Sequence, residues 1–398
     1  MHPAASPPDV APPEGACAGS PTVRAAPDAL GKYRIIAELA RGGMGVVRLA
    51  LTQGLAGFTK LLVLKELRSE FLDDPAFVRM FFDEARLAAR LNHPNVVQTI
   101  EVGSDGRRPF IAMEYIEGQS LQRVIRRARS RQRVGEASLI PLHVRMRALA
   151  DVLSALDYAH GLTDIGGEPL GLVHRDVSPH NVLVTYEGHV KLVDFGIAKT
   201  ESAREETRAG VLKGKTMYMA PEQAACENID CRADVFSVGL MLWEAVAGRR
   251  AWEGMGDVAI LRSLLVGSVP RIAEAKPDID ADLEAIVRRA TSADPGERYP
   301  TARALRADIE GYLATHDELQ ARGRDLGATV SLLFAEDRRR LQAVIDHELR
   351  GLLLHEASTS DPPAGMSSIE PFVVATPVPS VSVDTPSARG FSPPPVLF

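Results

Sequence analysis

Two rhythms of apolar residues divide this chain. From Tyr33 to Ile116 the apolar runs are short and rich in β-branched residues. Tyr33 to Leu39, the stretch through Val46 and Val47 to Ala50, Lys60 to Glu66, Asn95 to Val102, and Pro109 to Ile116 read as strands. One helix interrupts them. Asp74-Pro75 supplies an N-cap and a proline for the first turn, and the inward stripe is Phe77, Phe81, Glu84, Ala88 and Leu91. Beyond residue 117 the period lengthens to that of helices. Residues 120 to 134, Leu142 to His160, Asp234 to Val246 and Thr301 to Leu313 all read as helical. The third of these is apolar on every face, which belongs at the centre of a large core. Between them lie two short strands, Val182 to Val184 and Val190 to Val193, joined by a Glu187-Gly188 turn. Gly166-Gly167 suggests a smaller hairpin. The pattern predicts an α+β protein, with a small β-rich part followed by a larger helical one.

The ends read differently. Residues 1–32 are rich in Pro and Ala without periodicity and are expected to be disordered. Residues 314–354 hold two further helical patterns with many charges, a helical extension. Residues 355–398 form a Pro/Ser/Thr-rich stretch with the composition of a disordered tail.

Several polar residues sit where a purely structural reading leaves them unexplained. Lys65 ends a fully apolar strand, and Glu84 interrupts the apolar stripe of its helix. A buried charge is costly unless paired, so each predicts the other. Asp176, Asn181 and Asp194 lie on loops at the ends of the Val182–Val193 hairpin and can converge there. Two carboxylates and an amide are hard oxygen donors of the kind that hold Mg²⁺ together with phosphates. Gly42, Gly43 and Gly45 lie between two strands, where their backbone N–H groups can approach a phosphate. A strand–turn–strand context excludes the dinucleotide-binding unit, which needs a helix after the turn.

His174-Arg175-Asp176, Asn181 and Asp194-Phe195-Gly196, in this order and spacing, resemble the catalytic and metal loops of eukaryotic-type (Hanks-type) protein kinases. Arg41-Gly42-Gly43-Met44-Gly45 and Tyr218-Met219-Ala220-Pro221-Glu222-Gln223 resemble the bacterial serine/threonine members. The resemblance covers about residues 33–313. It implies the two-lobe kinase fold, with an N-lobe of about 33–117 and a C-lobe of about 118–313. It implies ATP and Mg²⁺ as cofactors, Ser or Thr of proteins as substrate, and autophosphorylation in signal transduction. Asp176 would orient the substrate hydroxyl and accept its proton. Asn181 and Asp194 would bind the metal. Leu39, Ala40, Arg41, Gly42, Gly43, Met44, Gly45, Val46 and Val47 would form the phosphate flap, with Val47 roofing the adenine. Val63, the gatekeeper Met113, and the hinge residues Glu114 and Ile116 would line the adenine site. Lys65, held by Glu84, would contact the α/β-phosphates. Thr200, Ser202, Thr207 and Thr216 lie on the implied activation segment, Thr207 being the first choice of phosphosite. Asp234 is read as the N-cap of its helix and, by resemblance, as a tie to the catalytic loop. Arg298 is implied to pair with Glu222.

The chain departs from the family pattern in places. Ala40 stands for the first glycine of the flap, and Val63 for an alanine. Ser178 occupies the position of the lysine two residues after the catalytic aspartate, and Gly214-Lys215 that of a threonine before Ala-Pro-Glu. Lys215 is therefore a candidate for the missing cation beside Asp176, with Ser178 taking the hydroxyl role; the other reading has Lys215 pointing to solvent. Ala40 and Ser178 also keep a catalytically silent, nucleotide-gated scaffold open, and a small-molecule phosphotransferase is the third alternative.

Composition adds exclusions. With 46 Lys+Arg against 52 Asp+Glu, no overall basic character argues for nucleic acid. The six arginines of residues 120–134 read as a solvated helix face. Cys17, Cys226 and Cys231 make no disulfide framework and read as free thiols in a reducing compartment. No run approaches the ~18 apolar residues of a membrane span, and no signal pattern opens the chain. A cytoplasmic protein acting on protein substrates is expected, its oligomeric state open.

Overall fold

The computed structural model describes residues 22–23, 29–42, 45–54, 58–106, 108–132, 138–195, 216–316 and 326–359. The first lobe is one antiparallel sheet. Its strands are β1 (Thr22–Val23), β2 (Ala29–Leu30), β3 (Tyr33–Arg41), β4 (Gly45–Gln53), β5 (Thr59–Leu67), β6 (Thr99–Asp105) and β7 (Arg108–Glu114). They are ordered β1-β3-β4-β5-β7-β6, with β2 also on β3. Leu30, Tyr33, Ile35, Leu62, Leu64 and Phe110 form the core on one face. Order therefore begins before Tyr33: Leu30 is 1% exposed and pairs with Tyr33.

The other face carries α1 (Pro75–Ala88), which sets Phe81 and Ala85 against Leu67 and Ile111. Its start is as the sequence predicts, with Asp74 Oδ1 accepting from the Ala76 N–H at 2.9 Å. The helix stops at Ala88, short of Leu91.

The strand expected from Asn95 begins only at Thr99. Asn95 to Val97 are drawn instead to the second lobe. The Val97 N–H donates to Leu192 O at 3.0 Å, Leu192 N–H to Asn95 O at 2.8 Å, and Asn95 Nδ2 to Val190 O at 2.9 Å. The last strand ends at Glu114, and Tyr115 to Glu117 connect the lobes outside any ladder.

The second lobe opens with β8 (Gly118–Ser120), which joins β9 (Val182–Thr185) and β10 (Val190–Leu192) in a small sheet ordered β10-β9-β8. The hairpin turn falls at Tyr186–His189, around the expected Glu187-Gly188. A second turn at Gly166-Gly167 brings Asp164 N–H to Glu168 O at 2.8 Å. The helices are α2 (Leu121–Arg131), α3 (Leu142–His160), α4 (Pro221–Ala224), α5 (Arg232–Ala247), α6 (Asp257–Leu265), α7 (Ile272–Ala275), α8 (Ala281–Ala290), α9 (Ala302–Thr315) and α10 (Leu326–Thr359).

The core of this lobe is built around α5, whose Ala233 to Glu244 are all buried. Gly239 permits α8 to approach: a Cβ there would lie 2.8 Å from Ala290 Cβ. The helical extension is one helix broken at Phe334 (φ −122°, ψ 20°), and it runs on to Thr359, past the expected start of the tail. Residues up to Glu348 form one compact unit and those from Leu349 another. Among the described residues, no helix is long and apolar enough to cross a membrane.

Candidate active site

Lys65 and Glu84 meet. Lys65 Nζ lies 2.7 Å from Glu84 Oε1, and their side chains are 16% and 17% exposed. The same ammonium lies 2.9 Å from Asp194 Oδ1. Burial works against the charged form of Lys65, but the carboxylates of Asp194 and Glu84 outweigh it and hold its pKa above the ordinary range. It stays a cation.

From Asp194 the contacts lead back along the chain. Val193 N–H donates to Asn181 O at 2.9 Å, and Asn181 Nδ2 donates to the Asp176 carbonyl at 2.9 Å. Thus Asp176, Asn181, Asp194, Lys65 and Glu84, spread over more than a hundred residues of sequence, form one connected set. Asn181 spends its amide nitrogen on the Asp176 backbone, leaving the side-chain oxygen as its donor atom for a cation. Among the described residues, no three His, Cys, Asp or Glu cluster as a self-sufficient metal site. Asn181 and Asp194 offer two hard oxygens, too few for a self-sufficient site but of the kind that bind an ion completed by phosphate and water oxygens.

The loop carrying Asp176 is held under strain. Arg175 has φ +65° and Asp194 φ +56°, the left-handed region that bulky residues rarely adopt. Asp234 supplies the compensation. Its Oδ2 accepts from His174 N–H and its Oδ1 from Arg175 N–H, both at 2.8 Å, and His160 Nε2 lies 2.8 Å from Oδ2. Asp234 is fully buried, and these partners overcome the desolvation that would raise its pKa and leave it lowered. It is not the N-cap of α5, since the helix starts at Cys231-Arg232; the carboxylate ties the loop, as the family resemblance implies. His174 is buried too, with Nδ1 facing Asp176 N–H at 3.2 Å, Nε2 facing Val193 O at 3.1 Å, and its ring against Phe195.

Beside this set lies a cavity of about 370 Å³ between the lobes. Leu39, Ala40, Val47 and Val63 face it from the sheet, Met113, Glu114, Tyr115 and Ile116 from the hinge, and Leu183, Val193 and Asp194 from the other lobe. Val46 does not line it. Successive strand residues face opposite sides, and Val46 is 5% exposed in the sheet. Arg41 and Gly42 lie at the flap's exposed tip, and Gly45 stands against β5, where a Cβ would meet Glu66 O at 3.1 Å. The Glu114 carboxylate takes Lys191 Nζ at 2.6 Å and Gln98 N–H at 2.8 Å, which fixes the start of the hinge.

Ser178 is half-buried, and its carbonyl accepts from Asn181 N–H at 3.0 Å. Lys215, Gly43, Met44, Gly196, Thr200, Ser202 and Thr207 lie outside the described residues. Thr216 is described and buried, its hydroxyl 2.7 Å from Asp257 Oδ1, so it is not presented for modification. Arg175 Nη1 is buried and makes no hydrogen bond among the described residues. Below it, Arg298 grips Glu222 with both nitrogens, at 2.6 and 2.8 Å.

Sequence reasoning missed part of the cavity. Leu183 and Val193 were legible only as strand residues. Asp337, Arg338, Leu341, Gln342 and Ile345 line it from α10, and no local motif marks them. Two arginines of α2 were misread as solvated: Arg123 and Arg127 both pair with Asp337 of α10.

A family model for the protein kinase domain matches residues 33–308. Over 309 residues the chain is 42% identical to the tyrosine-protein kinase MasK of Myxococcus xanthus, covering 77% of this chain and 47% of MasK. It is 35% identical over 279 residues to the serine/threonine-protein kinase PknL of Mycobacterium tuberculosis, covering 70% of this chain and 65% of PknL. The chain thus spans about half to two-thirds of these relatives' lengths. The crystal structure of the M. tuberculosis PknI kinase domain superposes with a TM-score of 0.54 at 27% identity, covering 73% of this chain and 99% of that domain.

Proposed function

The chain belongs to the protein kinase family, and on that premise we propose that it transfers the γ-phosphoryl group of ATP to a serine or threonine hydroxyl of a protein. The observation that carries this is the connected set from Asp176 through Asn181, Asp194 and Lys65 to Glu84, beside a cavity between the lobes. A catalytically silent scaffold has no use for all of it.

In this reading the cavity takes the adenosine, with the hinge backbone at Tyr115–Ile116 as its polar edge. Lys65 holds phosphate oxygens, and Glu84 keeps the ammonium in place. Asn181 and Asp194 would hold Mg²⁺, which when bound neutralises charge on the phosphates. Asp176 orients the acceptor hydroxyl and takes its proton, while Asp234 and His174 fix the loop that carries it. Phosphoryl transfer asks mainly for alignment and charge stabilisation. Lys215 would stand beside Asp176 and add the cation absent at Ser178, with Ser178 hydrogen-bonding the acceptor. A phosphorylated residue of the activation segment, Thr207 first, would suit Arg175, whose buried Nη1 makes no hydrogen bond among the described residues.

Tyrosine as acceptor is the second reading. It is favoured by 42% identity to a protein named a tyrosine kinase and by the loss of the lysine at Ser178. Incubating the purified chain with Mg-[γ-³²P]ATP and a mixed protein substrate, followed by phosphoamino-acid analysis and site mapping, decides. Phosphoserine or phosphothreonine is expected, and none with Lys65→Met. Phosphotyrosine alone would establish the second reading, and no incorporation at all would remove both.

A further inference from the structure

The helix beyond the matched domain lines the cavity between the lobes. Helix α10 is seated in the second lobe by Leu326, Val330, Leu333 and Phe334, all within its core. The approach is close: a Cβ on Gly327 would lie 2.5 Å from the Glu187 carbonyl carbon, so only glycine fits. One turn past the kink, Asp337 takes Arg123 and Arg127 of α2, and the Arg127 guanidinium lies 4.2 Å from the centre of the Phe334 ring. Arg338 Nε donates to Glu117 Oε1 at 2.8 Å, at the end of the hinge, and its guanidinium covers the Tyr186 ring at 4.5 Å. Ile345 is 3% exposed and, with Leu341 and Gln342, closes the hinge side of the cavity. Finally Glu348 takes Arg34 of β3, in the first lobe, at 2.9 Å.

One helix therefore touches the second lobe, the hinge and the first lobe in succession. Like the hinge segment, it is a covalently continuous element bearing on both lobes at the cavity. Two lobes that must close on a nucleotide have their relative angle fixed by such a brace. Its apolar side chains complete a wall that the hinge alone leaves open.

We propose that residues 337–348 form part of the nucleotide site, with Leu341 and Ile345 as wall and the Arg338–Glu117 and Arg34–Glu348 pairs as brace, so that docking of this helix sets nucleotide affinity. This rests on the reading that the cavity takes ATP. Residues 337–348 act by positioning, so the effect falls on binding and KM rather than on turnover. If undocking leaves the closed arrangement only fractionally populated, apparent affinity drops by that fraction.

The test uses the full chain, with the Kd for Mg-ADP measured by calorimetry alongside kcat and KM for ATP. Glu348→Arg is expected to raise both Kd and KM roughly fivefold while kcat stays within about twofold. The charge swap Arg34→Glu with Glu348→Arg is expected to restore both, which a general loss of stability would not do. Leu341→Ala with Ile345→Ala, which leaves the ion pairs intact, is expected to weaken Mg-ADP as well. Unchanged Kd in Glu348→Arg and in the Leu341/Ile345 variant, whatever happens to the melting temperature, overturns the proposal. Wild-type chain that binds Mg-ADP but transfers no phosphate would sink the kinase reading while the affinity comparison still decides this one. Wild-type chain that binds no Mg-ADP overturns both.

Discussion

Replacing Glu84 by Gln removes one charge from the centre of the site and little else. The amide is nearly isosteric and keeps an acceptor for Lys65. At 2.7 Å the ion pair is worth about 6 kcal/mol of gross Coulomb energy for an effective dielectric near 20. Most of that is offset by the desolvation of two groups that are 16% and 17% exposed. A charged hydrogen bond nets about 1.5–3 kcal/mol, so a loss of about 2 kcal/mol is the reasonable figure, or roughly 30-fold in kcat/KM. Among the described residues the remaining partner of Lys65 is Asp194, at 2.9 Å. In the variant the ammonium is drawn wholly to the residue proposed to hold Mg²⁺, so kcat is expected to fall more than nucleotide affinity. Steady-state phosphorylation at varied ATP, with a melting curve for each protein, measures both. A kcat/KM within twofold of wild type, in a normally folded variant, would refute the view that Glu84 positions Lys65.

Three further outcomes concern the frame around the site. Arg298 is fully buried, grips Glu222 and donates also to the carbonyls of Ser292, Arg232 and Ala293; Arg298→Ala is expected to cost about 3–5 kcal/mol in urea unfolding, with Glu222→Ala adding little to it in the double variant. Gly239→Ala places a methyl 2.8 Å from Ala290 Cβ and is expected to cost about 1–3 kcal/mol by overpacking, read from the same curves. Burial raises the pKa of Glu244, against the hydrogen bonds from Tyr218 and Ala251; a raised carboxyl contributes stability below its unfolded pKa that is lost as pH rises through the folded value. Glu244→Gln should therefore gain stability relative to wild type between pH 4 and pH 7, measured as the difference in unfolding free energy across that range.

The site was more legible in the sequence than the frame that serves it. Lys65 and Glu84 each broke a local apolar pattern, and a buried charge announces its need for a partner. Asp74-Pro75 and Glu187-Gly188 carry their geometry in their own chemistry. Asp234 was misread as a cap because a carboxylate near a helix start ordinarily is one; its tie to a loop sixty residues away, which the family resemblance did imply, is encoded by no local pattern. Asn95 to Val97 have strand composition but pair across lobes. Arg123 and Arg127 look like any solvated basic face until α10 is placed over them. The part played by α10 was invisible because its charges match an exposed helix, and only the three-dimensional path past the hinge gives Asp337, Arg338 and Glu348 their partners.

The claim on which the rest depends is that Asp176 orients the acceptor hydroxyl within this connected set. Its direct test is the rate of phosphoryl transfer from saturating Mg-ATP in a single turnover, for wild type and Asp176→Asn, with Mg-ADP affinity measured on both. Nucleotide affinity retained within about twofold and transfer slowed by about 10²–10⁴ are expected for a lost acid–base group. Transfer by Asp176→Asn at close to the wild-type rate would contradict the account.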